Sequence, residues 1–286
     1  MAPLIVITGP TASGKSALAL ELAERYSGEI VCADSRTIYM GMDIGTAKPS
    51  AEDQARVPHH LLDVVEPNER FTAGEFQRLA LAAIADIRAR GKVPFLVGGT
   101  GLYIDSVVLN YTFDDSEVDF EARRELEGKT VGELQTLLKS HHVELPQNIE
   151  NKRHLIRAWE LRGINRVRNA QPNKNTHVVL ITTDTETLMQ RIESRAHEMF
   201  HAGVIDEARK LGGRYGWDAE AMTGNIYPIL KRVIDGELSE VKAIELCVTR
   251  DRQLVKRQLT WLKRHDYVRW LNIDEARKYL SGLLEQ

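Results

Sequence analysis

Leu4-Ile-Val-Ile-Thr-Gly-Pro-Thr-Ala-Ser-Gly-Lys-Ser16 decides how the rest of the chain is read. Residues 4–8 are a continuous apolar run of strand length, short enough to be buried on both faces of a sheet. Residues 16–26 then carry apolar side chains at helical spacing through Leu18, Leu22 and Ala23. Between strand and helix, residues 9–16 fit the pattern G-x-x-x-x-G-K-[ST] at every position. Gly9 and Gly14 let the backbone N–H groups turn inward around a phosphate, and the helix N-terminus adds its dipole. Lys15 supplies a point charge, and the Ser16 hydroxyl is a ligand for Mg²⁺. A glycine turn that binds nothing is the plainer alternative; pattern and context together argue against it.

Working outward, the first half alternates strand runs with helical patterns, which predicts an α/β fold with a parallel sheet built on a P-loop NTPase-like core. The second strand covers residues 30–33 and ends at Asp34. A helix over residues 76–90 is closed by Gly91, and a third strand over residues 93–97 ends in Gly98-Gly99. A fourth β-rich run covers residues 178–183, helices dominate residues 186–263, and residues 267–271 suit one last strand. Residues 111–171 differ in character: an acidic patch (Asp114, Asp115, Glu117, Asp119) leads into helical patterns and then a stretch rich in Lys and Arg. This stretch reads as a helical insertion, so the expected organisation is 1–110 for the first part of the core, 111–171 for the insertion and 172–286 for core completion with basic helices.

The 286 residues are 43% hydrophobic and 28% charged, an ordinary globular composition. Cys32 and Cys247 lie far apart without metal-ligand spacing and read as reduced core thiols of an intracellular protein. No apolar run approaches the roughly 20 residues of a membrane span, and the first strand begins at Leu4, so a cytoplasmic protein, monomeric and without membrane contact, is the expectation. The formal net charge of −3 conceals segregation. Residues 250–264 hold Arg250, Arg252, Lys256, Arg257, Lys263 and Arg264 against Asp251 alone, a net of +5. Residues 150–168 hold Lys152, Arg153, Arg157, Arg162, Arg166 and Arg168 against Glu150 and Glu160, a net of +4. One such stretch is usually a solvated face; two beside a phosphate site suggest an electrostatic footprint for nucleic acid.

A P-loop names a ligand group and leaves the reaction open. NTPases and kinases add an acid, often on another core strand, to hold Mg²⁺. The third strand here ends Val97-Gly98-Gly99-Thr100-Gly101 without one, which favours a diphosphate leaving group and transfer of something other than phosphoryl. Asp34 sits at the carboxyl end of the second strand, the edge where open α/β sheets bind ligands. It reads as a general base toward the phosphate site, with a metal ligand or a turn residue as alternatives. In Pro58-His59-His60-Leu61-Leu62-Asp63 the adjacent histidines point to opposite sides of an extended chain, so a shared metal is not expected.

Taken together, these segments resemble the tRNA dimethylallyltransferase family: residues 9–16, Ala33-Asp-Ser35 with Tyr39, Gly41-Met-Asp-Ile-Gly-Thr-Ala-Lys-Pro49, Pro58-His-His-Leu-Leu-Asp63, Val97-Gly-Gly-Thr-Gly-Leu-Tyr103, Asn151-Lys-Arg153 with Arg157, and Lys256-Arg-Gln-Leu-Thr-Trp261. They fall in order and cover nearly the whole chain. The resemblance implies transfer of a dimethylallyl group from dimethylallyl diphosphate to the exocyclic amine of an adenosine next to the anticodon. It implies diphosphate held by Gly9, Thr11, Ala12, Ser13, Gly14, Lys15 and Ser16 with Mg²⁺ on Ser16, and catalysis by Asp34, Thr100 and Arg195. It further implies that the tRNA anticodon stem-loop is gripped through Asp34, Ser35, Arg36, Thr37, Arg153, Arg157, Lys256, Arg257, Gln258 and Trp261. Thr37 stands where the family has glutamine, Asp251 where it has threonine, and Met222-Thr-Gly-Asn-Ile-Tyr-Pro228 where it has Gly-Tyr-Arg or Gly-Tyr-Lys. An adenylate isopentenyltransferase would share the P-loop and Asp34 but need no basic insertion. A small-molecule kinase is disfavoured by Gly98-Gly99, and a non-catalytic RNA-binding protein has no reason to keep the complete P-loop.

Overall fold

The protein is described from a computed structural model, which covers residues 1–113, 120–146, 148–162, 169–224 and 226–285. The acidic patch at Asp114, Asp115, Glu117 and Asp119, as well as Arg166, Arg168 and Asn225, lie outside the described residues.

Six strands form one parallel sheet: β1 (Leu4–Thr8), β2 (Gly28–Cys32), β3 (His59–His60), β4 (Val93–Gly98), β5 (Thr176–Ile181) and β6 (Arg269–Leu271), in the spatial order β3-β2-β4-β1-β5-β6. β1 is central, pairing Ile7 with Val97 of β4 on one side and Val179 of β5 on the other. Every residue of β1 and β2 is buried, which is why β1 reads as an unbroken apolar run. β2 begins two residues earlier than the apolar pattern predicts because Glu29 is buried too. Its carboxylate accepts from Arg90, from Lys92 at 2.8 Å and from His60 at 2.7 Å, and the Arg90 guanidinium holds it well below the usual carboxylate range. A buried acid so neutralised belongs to a strand but breaks the hydrophobic signature. His60 is accordingly structural, and the His59–His60 edge strand was too short to be read by periodicity.

The helices are α1 (Lys15–Arg25), α2 (Ala51–Arg56), α3 (Ala73–Ala89), α4 (Gly101–Val108), α5 (Phe120–Gly128), α6 (Val131–Ser140), α7 (Lys152–Glu160), α8 (Thr185–His201), α9 (Val204–Tyr215), α10 (Tyr227–Ile234), α11 (Glu240–Leu262) and α12 (Ile273–Leu284). α1 and α12 pack against the sheet through Leu18, Leu22, Ala276 and Leu280 onto Ile5 and Ile7. A second core joins Ile38, Tyr39 and Met42 to Val204, Leu211, Tyr227 and Cys247 from α9, α10 and α11. Among the described residues no helix is long and apolar enough to cross a membrane.

The chain divides into two compact units, Met1–Asn110 with Asn169–Gln286, and Tyr111–Arg168. The chain rejoins the first unit at Asn169, whose N–H donates to Leu109 O at 2.7 Å, so residues 169–171 belong with the core. In the second unit α5, α6 and α7 bury Leu126, Leu134, Leu138, Leu155 and Ile156 in a core of their own. Arg153 is exposed there, whereas Arg157 pairs with Glu160 at 3.0 Å.

Candidate active site

Because β1 is central and flanked by parallel neighbours, the loop after it opens at the carboxyl edge of the sheet beside the ends of β2 and β4. The loop turns through Ala12 at φ 62° and Gly14 at φ 90° before α1 begins at Lys15. Positive φ at successive turns directs backbone N–H groups to one side, the geometry of an anion nest. β2 and β4 approach so closely at their ends that a Cβ on Gly98 would lie 2.0 Å from Ala33 O. Only glycine allows this contact, and it brings Asp34 and Thr100 to one corner.

These ends border a cleft of about 660 Å³. Its lining combines Thr11, Lys15, Ser16 and Arg195 with the apolar Ile30, Cys32, Ala47, Pro49 and Val97, and includes Asp34. Burial pushes the Lys15 ammonium down to about 8; Asp34 opposes this and Arg195 adds to it. Lys15 donates only a 3.3 Å bond to Pro10 O, and no carboxylate pairs with it among the described ion pairs. Arg195 donates through Nη1 to the Thr11 hydroxyl, while its Nε is buried with no partner, as is Ser13 Oγ. Buried donors left without acceptors are costly, and an anion in the cleft would offer Arg195 Nε an acceptor.

Asp34 Oδ1 accepts from Arg36 N at 2.9 Å, so the carboxylate forms a turn and still lines the cleft. The turn expected as an alternative for Asp34 is therefore present, in a residue that also borders the cleft. The Thr100 hydroxyl accepts from Ser35 N at 3.0 Å and donates to Ser35 Oγ at 3.4 Å; it braces the Asp34 corner. Ser35, Arg36 and Thr37 line the cleft, and Thr37 Oγ1 is buried without a partner. Cys32 is a buried thiol, pushed up to about 12 by burial and then by Asp34, and supplies no nucleophile.

Two residues expected on the nucleic-acid face are placed otherwise. The Gln258 amide is used inside the protein, its Oε1 accepting from Thr11 N at 3.0 Å and its Nε2 donating to Gly99 O at 3.1 Å. The Trp261 indole donates to Asp105 Oδ2 at 2.7 Å, and its ring lies against Gly101, where a Cβ would come within 2.3 Å. Asp105 also pairs with His265 at 2.9 Å. Both Gln258 and Trp261 thus tie α11 to the P-loop and α4. Lys256 and Arg257 on the same helix remain exposed, and Arg257 reaches the cleft.

Asp251 is buried in the cleft wall. Burial raises its pKa and Arg195 opposes the rise. The substitution of acid for threonine was legible; its position in the cationic cleft was not. Among the described residues no group of three or more His, Cys, Asp or Glu could hold a metal ion. The Ser16 hydroxyl is exposed at the cleft, where it could act as one oxygen ligand to a cation carried mainly by phosphate oxygens and water.

The sequence model of the IPP transferase family matches residues 37–265. A tRNA dimethylallyltransferase of Geobacillus thermodenitrificans is 39% identical, covering 96% of this chain and 92% of its own. That of Pelotomaculum thermopropionicum is 36% identical, covering 95% and 91%. The crystal structure of a full-length tRNA isopentenylpyrophosphate transferase from Bacillus halodurans superposes with a TM-score of 0.76 at 35% identity, over 100% of this chain and 97% of that one.

Proposed function

The chain belongs to the IPP transferase family, and from this membership and the cleft we propose that it transfers a dimethylallyl group from dimethylallyl diphosphate to the exocyclic amine of the adenosine 3′ of the anticodon in tRNA. The observation that carries the reading is a P-loop cleft whose lining brings together Lys15, Arg195 with its unpartnered Nε, the Asp34 carboxylate and a set of apolar side chains. Thr11, Ala12, Ser13, Gly14 and Lys15 hold the diphosphate with Arg195. The five-carbon group lies against Ile30, Cys32, Ala47, Pro49 and Val97. Ser16 would hold Mg²⁺ together with the diphosphate, and the ion would supply neutralisation of charge on the leaving group. The amine lone pair bonds to C1 of the donor as the C1–O bond breaks, its electron pair leaves with diphosphate, and the amine proton passes to Asp34. The adenine must leave its stack to reach this cleft. Thr100 acts by fixing the Asp34 corner. The enzyme acts in this reading as a cytoplasmic monomer.

Labelled dimethylallyl diphosphate supplied with either tRNA or AMP tests the reading. Label in tRNA alone supports it; label in AMP alone assigns the protein to the adenylate isopentenyltransferases.

Lys256 and Arg257 are exposed cations near the C-terminal end of α11. Lys256→Ala and Arg257→Ala should each weaken tRNA binding and lower the slope of log affinity against log salt by about 0.7–0.9. An unchanged slope in both variants moves the nucleic-acid face elsewhere. Thr37→Gln should replace a buried hydroxyl that has no partner with an amide able to pair with a base edge. The tRNA Michaelis constant should fall, since a good bidentate base contact contributes about 1–3 kcal/mol. A sharp loss of activity would mean that the cleft has packed around threonine.

A further inference from the structure

We infer that Glu207, on α9 outside the cleft, is a positioning residue for the prenyl donor: it holds residues 43–45 so that the next residues form the cleft's apolar wall and keep water from the reacting carbon. This rests on the transfer reading above. One carboxylate takes four donors: Glu207 Oε2 accepts from Asp43 N at 2.9 Å and Ile44 N at 2.6 Å, and Oε1 from Gly45 N at 2.9 Å and the Tyr227 hydroxyl at 2.8 Å. Three consecutive amides aimed at one anion make a nest, and such charge-assisted bonds are roughly twice as strong as neutral ones. Tyr227 is fully buried, so the anchor belongs to the α9–α10 core.

The segment so held continues directly into Thr46, Ala47 and Pro49, which line the cleft. Ala47 is at φ 50°, a left-handed backbone that a residue with a Cβ adopts only when its surroundings enforce it. The enforcing contacts are local. Thr46 Oγ1 donates to Met42 O at 2.5 Å and Ala47 N to Ile44 O at 3.0 Å, while the Lys48 ammonium is held by Tyr39 O at 3.0 Å, Asp43 at 2.5 Å and Asp63 at 2.6 Å. Glu207 and Tyr227 tie the tip of this compact loop to the helical core by hydrogen bonds, beside the apolar packing of Met42 and Ile44 on the same helices. Gly45 is seated against them so tightly that a Cβ would lie 2.7 Å from the Tyr227 hydroxyl and 3.2 Å from Glu207 Oε1. Freed from Glu207, the wall can move away from the prenyl group without any change at Lys15, Asp34 or Arg195.

The consequence is specific to the donor. A displaced wall admits water, whose oxygen bonds to C1 as the C1–O bond breaks, with diphosphate leaving and a water proton passing to solvent. The experiment compares the wild type with Glu207→Gln, Glu207→Ala and Gly45→Ala, measuring both Michaelis constants and the ratio of dimethylallyl alcohol to prenylated tRNA. Gly45→Ala pushes the same loop off its seat by a different route, which covers the case in which Glu207→Ala does not fold. The expected result is a donor Michaelis constant raised about tenfold or more, on the scale at which small misplacements act. The tRNA constant should stay within about twofold, and the share of donor lost to water should rise, with Glu207→Gln intermediate because it keeps one acceptor oxygen. Folded variants whose alcohol-to-product ratio equals that of the wild type, or whose two Michaelis constants rise together, overturn the inference. Wild-type enzyme that puts no label into tRNA sinks the transfer reading itself, and label in tRNA with an unchanged ratio in every variant overturns the role of Glu207 alone.

Discussion

Asp34→Asn should lower the transfer rate about 10²–10⁴-fold, the usual cost of losing a general base, while tRNA and donor bind nearly as in the wild type. Asparagine keeps an oxygen where Asp34 Oδ1 accepts from Arg36 N, so the turn at the end of β2 survives. The Thr100–Ser35 brace beside it is untouched. What is lost is the ability to take a proton from an amine whose lone pair is delocalised into the adenine ring. Removing a carboxylate also leaves the cleft more positive, because Lys15 and Arg195 remain; donor binding should hold steady or tighten. Single-turnover transfer with saturating donor, set beside equilibrium tRNA binding, makes the check. Equal losses of binding and rate would make Asp34 a turn residue and nothing more.

The half of the site that binds phosphate was legible because its signal is local. Eight consecutive residues, from Gly9 to Ser16, carry the pattern, and strand and helix on either side supply the context. The strands β1, β4 and β5 were legible for the same reason, being apolar runs between turn residues. The parts that escaped depend on partners distant in the chain. Gln258, which the family resemblance placed on the nucleic acid, meets Thr11 and Gly99 across a fold that no spacing rule describes. The bond from Trp261 was hidden likewise, because its partner Asp105 is an acid inside an apolar helix. Glu207 reads in sequence as a solvated residue in the first turn of α9, and only the folded chain brings three amides to it. Arg195 could be marked only through the family resemblance, since nothing within α8 distinguishes it from Arg191.

Replacing Lys15 with methionine, which keeps the stem and removes the charge, should weaken donor binding by about 2–5 kcal/mol, or roughly 30- to 5,000-fold, as for truncation of one partner in a buried charge pair. The same residue sets an unusual pH dependence. In the free protein its ammonium titrates at about 8 instead of 10.5, chiefly because burial disfavours the charge. Below about 8 the site is already cationic, and the donor binds without proton uptake. Above it the amine is neutral, and binding an anion requires a proton, so affinity should fall by up to about tenfold per pH unit. The donor's own charge is constant there, since a phosphate's second ionisation, near about 6, is complete. Stability of the free protein should move the other way. Between about 8 and 10.5 the unfolded chain holds a proton that the folded one has released, so this group's contribution to stability rises with pH. Opposite trends over one window single out a lysine whose charge is uncomfortable until an anion arrives. Lys15→Met should abolish both trends at once, and titration calorimetry with dimethylallyl diphosphate from pH 7 to 10, paired with denaturant unfolding, reads them. A wild-type affinity that stays flat across that range, or a slope that survives in Lys15→Met, would mean that the charge meeting the diphosphate is carried by Arg195 and the backbone amides instead.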